Sequence, residues 1–272
     1  MINNKTGKQG ALIFLHIPKT AGTSLRKVVE RFYDKEEIYT IYEDHIKEFK
    51  DVPDDKKIKM KVFYGHVSFG LHKYIPQPAS YVTILRDPVE RVISLYSHVS
   101  KEKDHPYYKQ FDFDKMTFAD FVQNGITLET DNEQTRLVSG IDSEFGKCTS
   151  EMLEAAKENL KKYFTVVGLS EYFDETVLLM KLAFGWKLPI RLSLKKIVSG
   201  TSSPFYERTN VSINRVRRDE LSEDDLSAIN KFNELDIQLY EYAKELFHEQ
   251  IKQYGSSFKT ELKKLKEWRE HV

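Results

Sequence analysis

The 272-residue chain has one cysteine, Cys148, so an internal disulfide is excluded, and with it the cross-linked framework on which small secreted domains depend. Charge of one sign is not in excess either, since Lys plus Arg and Asp plus Glu are 42 each. A global basic field that would draw the chain to nucleic acid or an anionic membrane is thereby excluded, and any anion site has to be local. No run approaches the roughly 20 apolar residues of a membrane span. The polar start "MINNKTGKQG" lacks the charged n-region, apolar h-region and small-residue cleavage site of a secretion signal. Internal repeats, low-complexity tracts, H-E-x-x-H, cysteine clusters and EF-hand loops are also missing, so no metal is expected. These absences predict a cytoplasmic protein with no membrane span and no nucleic-acid partner.

What is present supports a globular enzyme-sized unit. A content of 40% hydrophobic and 12% aromatic residues can bury a sizeable core in one domain over residues 1–272. "ALIFLHI" is a short apolar run suited to a buried strand, and "TSLRKVVERFY" follows with Leu25, Val28, Val29 and Phe32 at helical spacing. The same alternation recurs in "KVFYGHV", in "SYVTILRDP" with "VERVISLYSHVS", and in "YFTVVGL" with "EYFDETVLLMKLAFG". Strands alternating with helices predict an α/β fold with a parallel sheet flanked by helices. Residues 101–163 break the rhythm with helical patterns and are expected to form an insertion or lid over one end of the sheet. "GTSSPFYERTNVSINR" reads as a loop. A long helical pattern resumes over 222–253, and the charged tail "KTELKKLKEWREHV" reads as a solvated helix.

The stretch "FLHIPKTAGTSL" is the first with chemical content. A loop from strand to helix offers backbone amides and the positive end of the helix dipole to an anion. Yet the Walker order G-x-x-x-x-G-K-[ST] is not followed, because Lys19 precedes the glycine. Gly22 allows close approach, Thr20, Thr23 and Ser24 offer hydroxyls, Ala21 contributes its amide, and Lys19 projects a mobile charge. The plainer alternative is that the hydroxyl residues cap a helix and Lys19 is a surface lysine. The second stretch, "ILRDPVERVISLYSH", puts Arg86 at a strand end and Ser94 two helical turns further on, an arrangement suited to a phosphate. Its alternatives are an Arg86–Asp87 ion pair and a solvent-facing serine. Two anion-binding elements at two strand ends imply a ligand with two phosphate-like groups.

At these residues the chain resembles the sulfotransferases, in the carbohydrate O-sulfotransferase branch (sulfotransferase family 2) that includes heparan sulfate 2-O-sulfotransferase. That resemblance implies a P-loop-like fold. It also implies that the "PKTAGTS" loop, Lys19 to Ser24, holds the 5′-phosphosulfate of 3′-phosphoadenosine 5′-phosphosulfate (PAPS), and that Arg86 and Ser94 hold its 3′-phosphate. PAP would be the product nucleotide. "FYGHVSF" resembles the segment bearing the family's catalytic histidine, which makes His66 the expected base and a contact to the acceptor. Tyr64 stands where the heparan enzyme has a further histidine. "ERTNVSINR" falls where a cofactor-covering loop is expected, with Arg208, Thr209 and Asn210 as candidate contacts.

The resemblance assigns Lys19 to the charge that builds on the bridging oxygen as a sulfuryl group leaves phosphate. A neutral histidine suits removal of the acceptor's hydroxyl proton. Arg136 is a candidate clamp for an acidic acceptor, with a salt bridge inside the lid as its alternative, and His16 reads as packing. The expected acceptor is a hydroxyl of a saccharide, glycolipid or small metabolite. Golgi members of the branch carry an anchor; this chain shows neither anchor nor disulfide, so a bacterial-type cytosolic enzyme is expected. Two rival functions stay open, an ATP-dependent P-loop-like phosphotransferase and a non-catalytic nucleotide-binding protein.

Overall fold

Five strands form one parallel sheet in the order β2-β3-β1-β4-β5: β1 Ala11–Leu15, β2 Ile38–Ile41, β3 Val62–Gly65, β4 Ala79–Leu85 and β5 Phe164–Leu169. The computed structural model describes residues 10–41, 46–186 and 216–270. The helices are α1 Gly22–Val29, α2 Ile46–Asp51, α3 Asp54–Lys57, α4 Pro88–Val99, α5 Phe118–Gln123, α6 Glu133–Ser139, α7 Ser150–Tyr163, α8 Phe173–Phe184, α9 Glu223–Phe232, α10 Glu234–Gln253 and α11 Gly255–Glu270.

β1 is the central strand and all five of its residues are buried. A strand covered on both faces reads as a continuous apolar run, which is why "ALIFL" does not alternate. Leu15 lies level with Gly65 of β3 and with Thr83 of β4, so the carboxyl ends of three neighbouring strands reach one edge of the sheet. From β1 the chain passes to β2 and β3 on one side, then crosses to β4 and β5 on the other. The connections after β1 and β4 therefore diverge, and a crevice at such a switch point is where open α/β sheets bind ligands.

Two apolar clusters hold the body. The larger packs the sheet against α1, α7, α8 and α10, and the smaller joins Val92 and Ile93 of α4, Phe121 of α5 and Ile229 of α9. Within the region 101–163, α7 places Leu153, Ala156 and Leu160 in the larger cluster and every residue of α6 is buried.

Three further differences from the sequence expectation have local causes. β2, "IYTI", was not expected; it is a four-residue edge strand with three half-buried positions, too short for a clear pattern. The helical pattern over 222–253 divides at Asn233, whose buried amide Nδ2 donates to Thr130 O at 2.9 Å and Ile229 O at 3.1 Å. The tail helix α11 is not solvated all round: Phe258 is buried in the larger cluster, and Lys181–Glu261 (3.1 Å) and Lys266–Glu175 (2.9 Å) tie it to α8. No described helix is long and apolar enough to cross a membrane. Arg208, Thr209 and Asn210 lie outside the described residues.

Candidate active site

The loop after β1 is held in an unusual conformation. Lys19 and Ala21 both have positive φ, 67° and 70°, although neither is glycine. Each such residue costs about 1–2 kcal/mol, and backbone turns of this kind form concave anion sites. Thr20, between them, is buried and donates its hydroxyl to Ile17 O at 2.9 Å, so it locks the loop and does not face outward. The helix cap is not a hydroxyl residue: the N-cap position of α1 is Ala21, Thr23 is exposed and Ser24 is buried one turn in. Among the described residues, the amides of Lys19, Ala21, Gly22 and Thr23 meet no acceptor, which leaves them available at the positive end of α1. Gly22 has a reason the sequence did not reveal. A Cβ there would lie 1.8 Å from His16 Cδ2 and 2.0 Å from Nε2, so the loop closes only without a side chain.

The β4 end is joined to this loop. Arg86 donates from Nη1 to Lys19 O at 3.0 Å, and its backbone is gripped at both ends by Gln134, which accepts from Arg86 N and donates to Arg86 O, each at 2.9 Å. Glu90 lies 3.7 Å from Arg86 Nη2. Asp87 caps α4 by accepting from Glu90 N at 3.0 Å, with Pro88 at the first helical position, and its other oxygen meets Arg218 at 3.4 Å. Half-buried Ser94 lies on the stripe Glu90, Ser94, His98 of α4, residues four apart on one face.

Lys19 is half-buried and forms no ion pair among the described residues. Burial pushes its ammonium below the usual lysine range, with Glu129 opposing and Arg86 adding to the push. His98 and His105, whose rings are 5.2 Å apart, are held below the usual imidazole value by burial first and by the Lys19 charge second. The Lys19 and Arg86 charges, from two separate segments, thus repel each other beside these amides, while His98 and His105 are held neutral. That donor set fits a ligand with more than one negative charge. His98 and His105 escaped the sequence reading, though His98 continues the four-residue steps from Arg86 through Glu90 and Ser94.

On the other side of β1, the end of β3 carries His66. Its Nδ1 lies 3.0 Å from His16 O. A carbonyl only accepts, so Nδ1 carries the hydrogen and the neutral ring keeps its lone pair on Nε2. Burial lowers the His66 pKa, partly offset by this bond. The His16 and His66 rings are 4.2 Å apart, and Tyr64 Oη lies 2.6 Å from His16 Nδ1. His16 packs, as expected, but it also orients His66 through its carbonyl. Behind His66, Phe69 N donates to Leu137 O of α6 at 2.7 Å, and Gly140, with φ 71°, presses where a Cβ would come within 2.3 Å of Phe69 O. α6 therefore touches both the Arg86 and the His66 segments.

Arg136 is placed elsewhere, which corrects its expected contact with an acceptor. All five guanidinium donors are used internally: Nε to Asp131 O, Nη1 to Ser143 O and Oγ, Nη2 to Asp131 Oδ2 and Glu144 O. The side chain is 7% exposed and fastens the 141–146 turn to α6, in line with the salt bridge inside the lid weighed for it. No group of three or more His, Cys, Asp or Glu among the described residues is arranged to share a metal.

A strained loop, an arginine bonded to its backbone and a histidine oriented by a neighbouring carbonyl thus lie at the carboxyl edge of the sheet. The chain matches the Sulfotransferase family model over residues 6–243 and belongs to that family. It is 29% identical over 201 residues to human heparan-sulfate 6-O-sulfotransferase 1, covering 64% of this chain and 44% of that protein. With the 2-O-sulfotransferase 1 of Gallus gallus, also a heparan sulfate enzyme, it shares 26% over 192 residues, 63% of this chain and 54% of that protein. The chain thus spans about half the length of these relatives. Among solved structures, the mouse sulfotransferase SULT7A1 complexed with PAP aligns with TM-score 0.43 and 14% identity, over 100% of this chain and 93% of that one.

Proposed function

We propose that the protein transfers a sulfuryl group from PAPS to a hydroxyl of a carbohydrate acceptor. Membership of the family supports the reaction class, and the heparan-sulfating relatives support a saccharide acceptor. The observation that carries the reading is that half-buried Lys19, with no ion pair among the described residues, lies in a loop whose backbone is tied to Arg86 by the 3.0 Å bond from Arg86 Nη1 to Lys19 O.

In this reading the amides of Ala21, Gly22 and Thr23 and the dipole of α1 hold the 5′-phosphosulfate, while Arg86 and Ser94 hold the 3′-phosphate. His66 Nε2 takes the acceptor's hydroxyl proton as the acceptor oxygen bonds to sulfur. The bond from sulfur to the bridging phosphate oxygen breaks, and Lys19 stabilises the charge left on that oxygen as PAP departs. Fixed protein charges supply the neutralisation that nucleotide kinases draw from Mg²⁺. Arg208, Thr209 and Asn210, outside the described residues, are assigned to nucleotide contact by family resemblance alone.

Titration calorimetry with PAP and with ATP, each in excess EDTA, tests the nucleotide class. Tight PAP binding and weak ATP binding are expected. ATP binding that exceeds PAP and requires Mg²⁺ would overturn the reading in favour of a phosphotransferase.

A further inference from the structure

Arg86 reaches the site from a backbone that Gln134 grips at both its N–H and its C=O, each bond 2.9 Å. Gln134 is fully buried, lies 48 residues away in sequence, and sits in the first turn of α6. Its own position is fixed from behind. The buried Asp236 carboxylate, on α10, accepts from Gln134 N at 3.1 Å and from Thr135 N at 2.7 Å. In return the Asn132 side chain, at the N-cap of α6, accepts from Leu235 N at 2.9 Å and Asp236 N at 3.1 Å. Each helix thus caps the start of the other. A side-chain amide that satisfies both backbone groups of one residue leaves it little freedom to rotate, so the direction in which the Arg86 guanidinium leaves the sheet is set from α6.

We propose that Gln134 is a positioning residue for nucleotide recognition, aiming Arg86 at the 3′-phosphate, with the Asp236–Asn132 double cap as its anchor. The inference rests on the PAPS reading above. Loss of the amide lets the Arg86 backbone relax and weakens the contact to the 3′-phosphate most; the Lys19 loop loses at most the one bond from Arg86 Nη1 to Lys19 O and keeps its own Thr20–Ile17 lock. Gln134→Met is close in volume and removes both bonds; Gln134→Glu keeps the acceptor toward Arg86 N and loses the donor toward Arg86 O.

The experiment compares Kd for PAP with Kd for adenosine 5′-monophosphate, which lacks the 3′-phosphate, in the wild type, Gln134→Met, Gln134→Glu, Arg86→Ala and the Arg86→Ala/Gln134→Met double variant. The expected preference for PAP falls about tenfold in Gln134→Met, the scale of one charged hydrogen bond misplaced, and less in Gln134→Glu. In the Arg86→Ala background, Gln134→Met should cost no further preference, because both changes act on one contact. Equal weakening of both nucleotides, or additive losses in the double variant, would overturn the positioning role. Should Gln134→Met fail to fold, an unchanged preference in Gln134→Glu overturns it as well. A wild type with no preference for PAP would instead refute the assignment of Arg86 itself.

Discussion

Lys19→Ala isolates the charge held against the leaving oxygen. Alanine keeps a Cβ at φ 67°, so the backbone strain of the loop is unchanged and only the ammonium and its stem are removed. A full unit charge about 4 Å from Lys19 Nζ interacts by about 4 kcal/mol at an effective dielectric of 20. Only part of a charge develops on the bridging oxygen in the transition state, which brings the expectation to the range of a lost oxyanion donor, about 2.7–4 kcal/mol or a 10²–10³-fold fall in kcat. PAP affinity should fall by less than about tenfold, because the loop amides and Arg86 remain. Rapid-quench single turnover with labelled PAPS gives the chemical step, and calorimetry gives PAP binding. Lys19→Met, which keeps most of the stem without charge, should behave as Lys19→Ala does. A chemical step within about threefold of wild type in both variants would remove Lys19 from the mechanism.

His66→Asn keeps a donor toward His16 O but cannot take a proton. The wild-type kcat/KM is expected to rise with pH through an apparent pKa below the ordinary 6.5, since burial lowers His66, and the Asn variant should lose both rate and limb; survival of the limb would place the base elsewhere. Gly22→Ala drives a Cβ into the His16 ring and should cost about 1–3 kcal/mol in urea unfolding, with neutrality refuting the close approach. His16 is held neutral by burial, its folded pKa lying well below the unfolded 6.5. The unfolded chain therefore binds more protons below pH 6.5, so this contribution to stability is complete above 6.5 and is lost as pH falls toward the folded value. The slope approaches about 1.4 kcal/mol per pH unit below the unfolded pKa, or about 1 kcal/mol between pH 6.5 and 5.5, and unfolding free energies that stay flat across that window would contradict it.

The central strands and the loops that follow β1 and β4 were legible because their signals are local. "ALIFL" announces burial on both faces, and Lys19, Gly22 and Arg86 lie within short stretches whose order has chemical meaning. What escaped depends on contacts between distant segments. Gln134 binds Arg86 from 48 residues away, and Asp236 caps α6 across more than 100. No spacing rule marks either. Arg136 misled for the complementary reason: an arginine in a polar helical stretch looks available until the 141–146 turn is seen to use its donors. Gly22 was read as allowing close approach of the backbone to a ligand; that the same position must also clear the His16 ring could not be seen from sequence.

The most direct test of the sulfuryl-transfer account is incubation with PAPS carrying labelled sulfur, a panel of heparan-type and simpler saccharides, and excess EDTA. The account predicts label in a saccharide product, PAP released in equal amount, and loss of both in Lys19→Ala and His66→Asn. Stoichiometric PAP binding with no label transferred to any hydroxyl in the panel or in a cell extract would contradict it, as would transfer that stops in EDTA and returns with Mg²⁺.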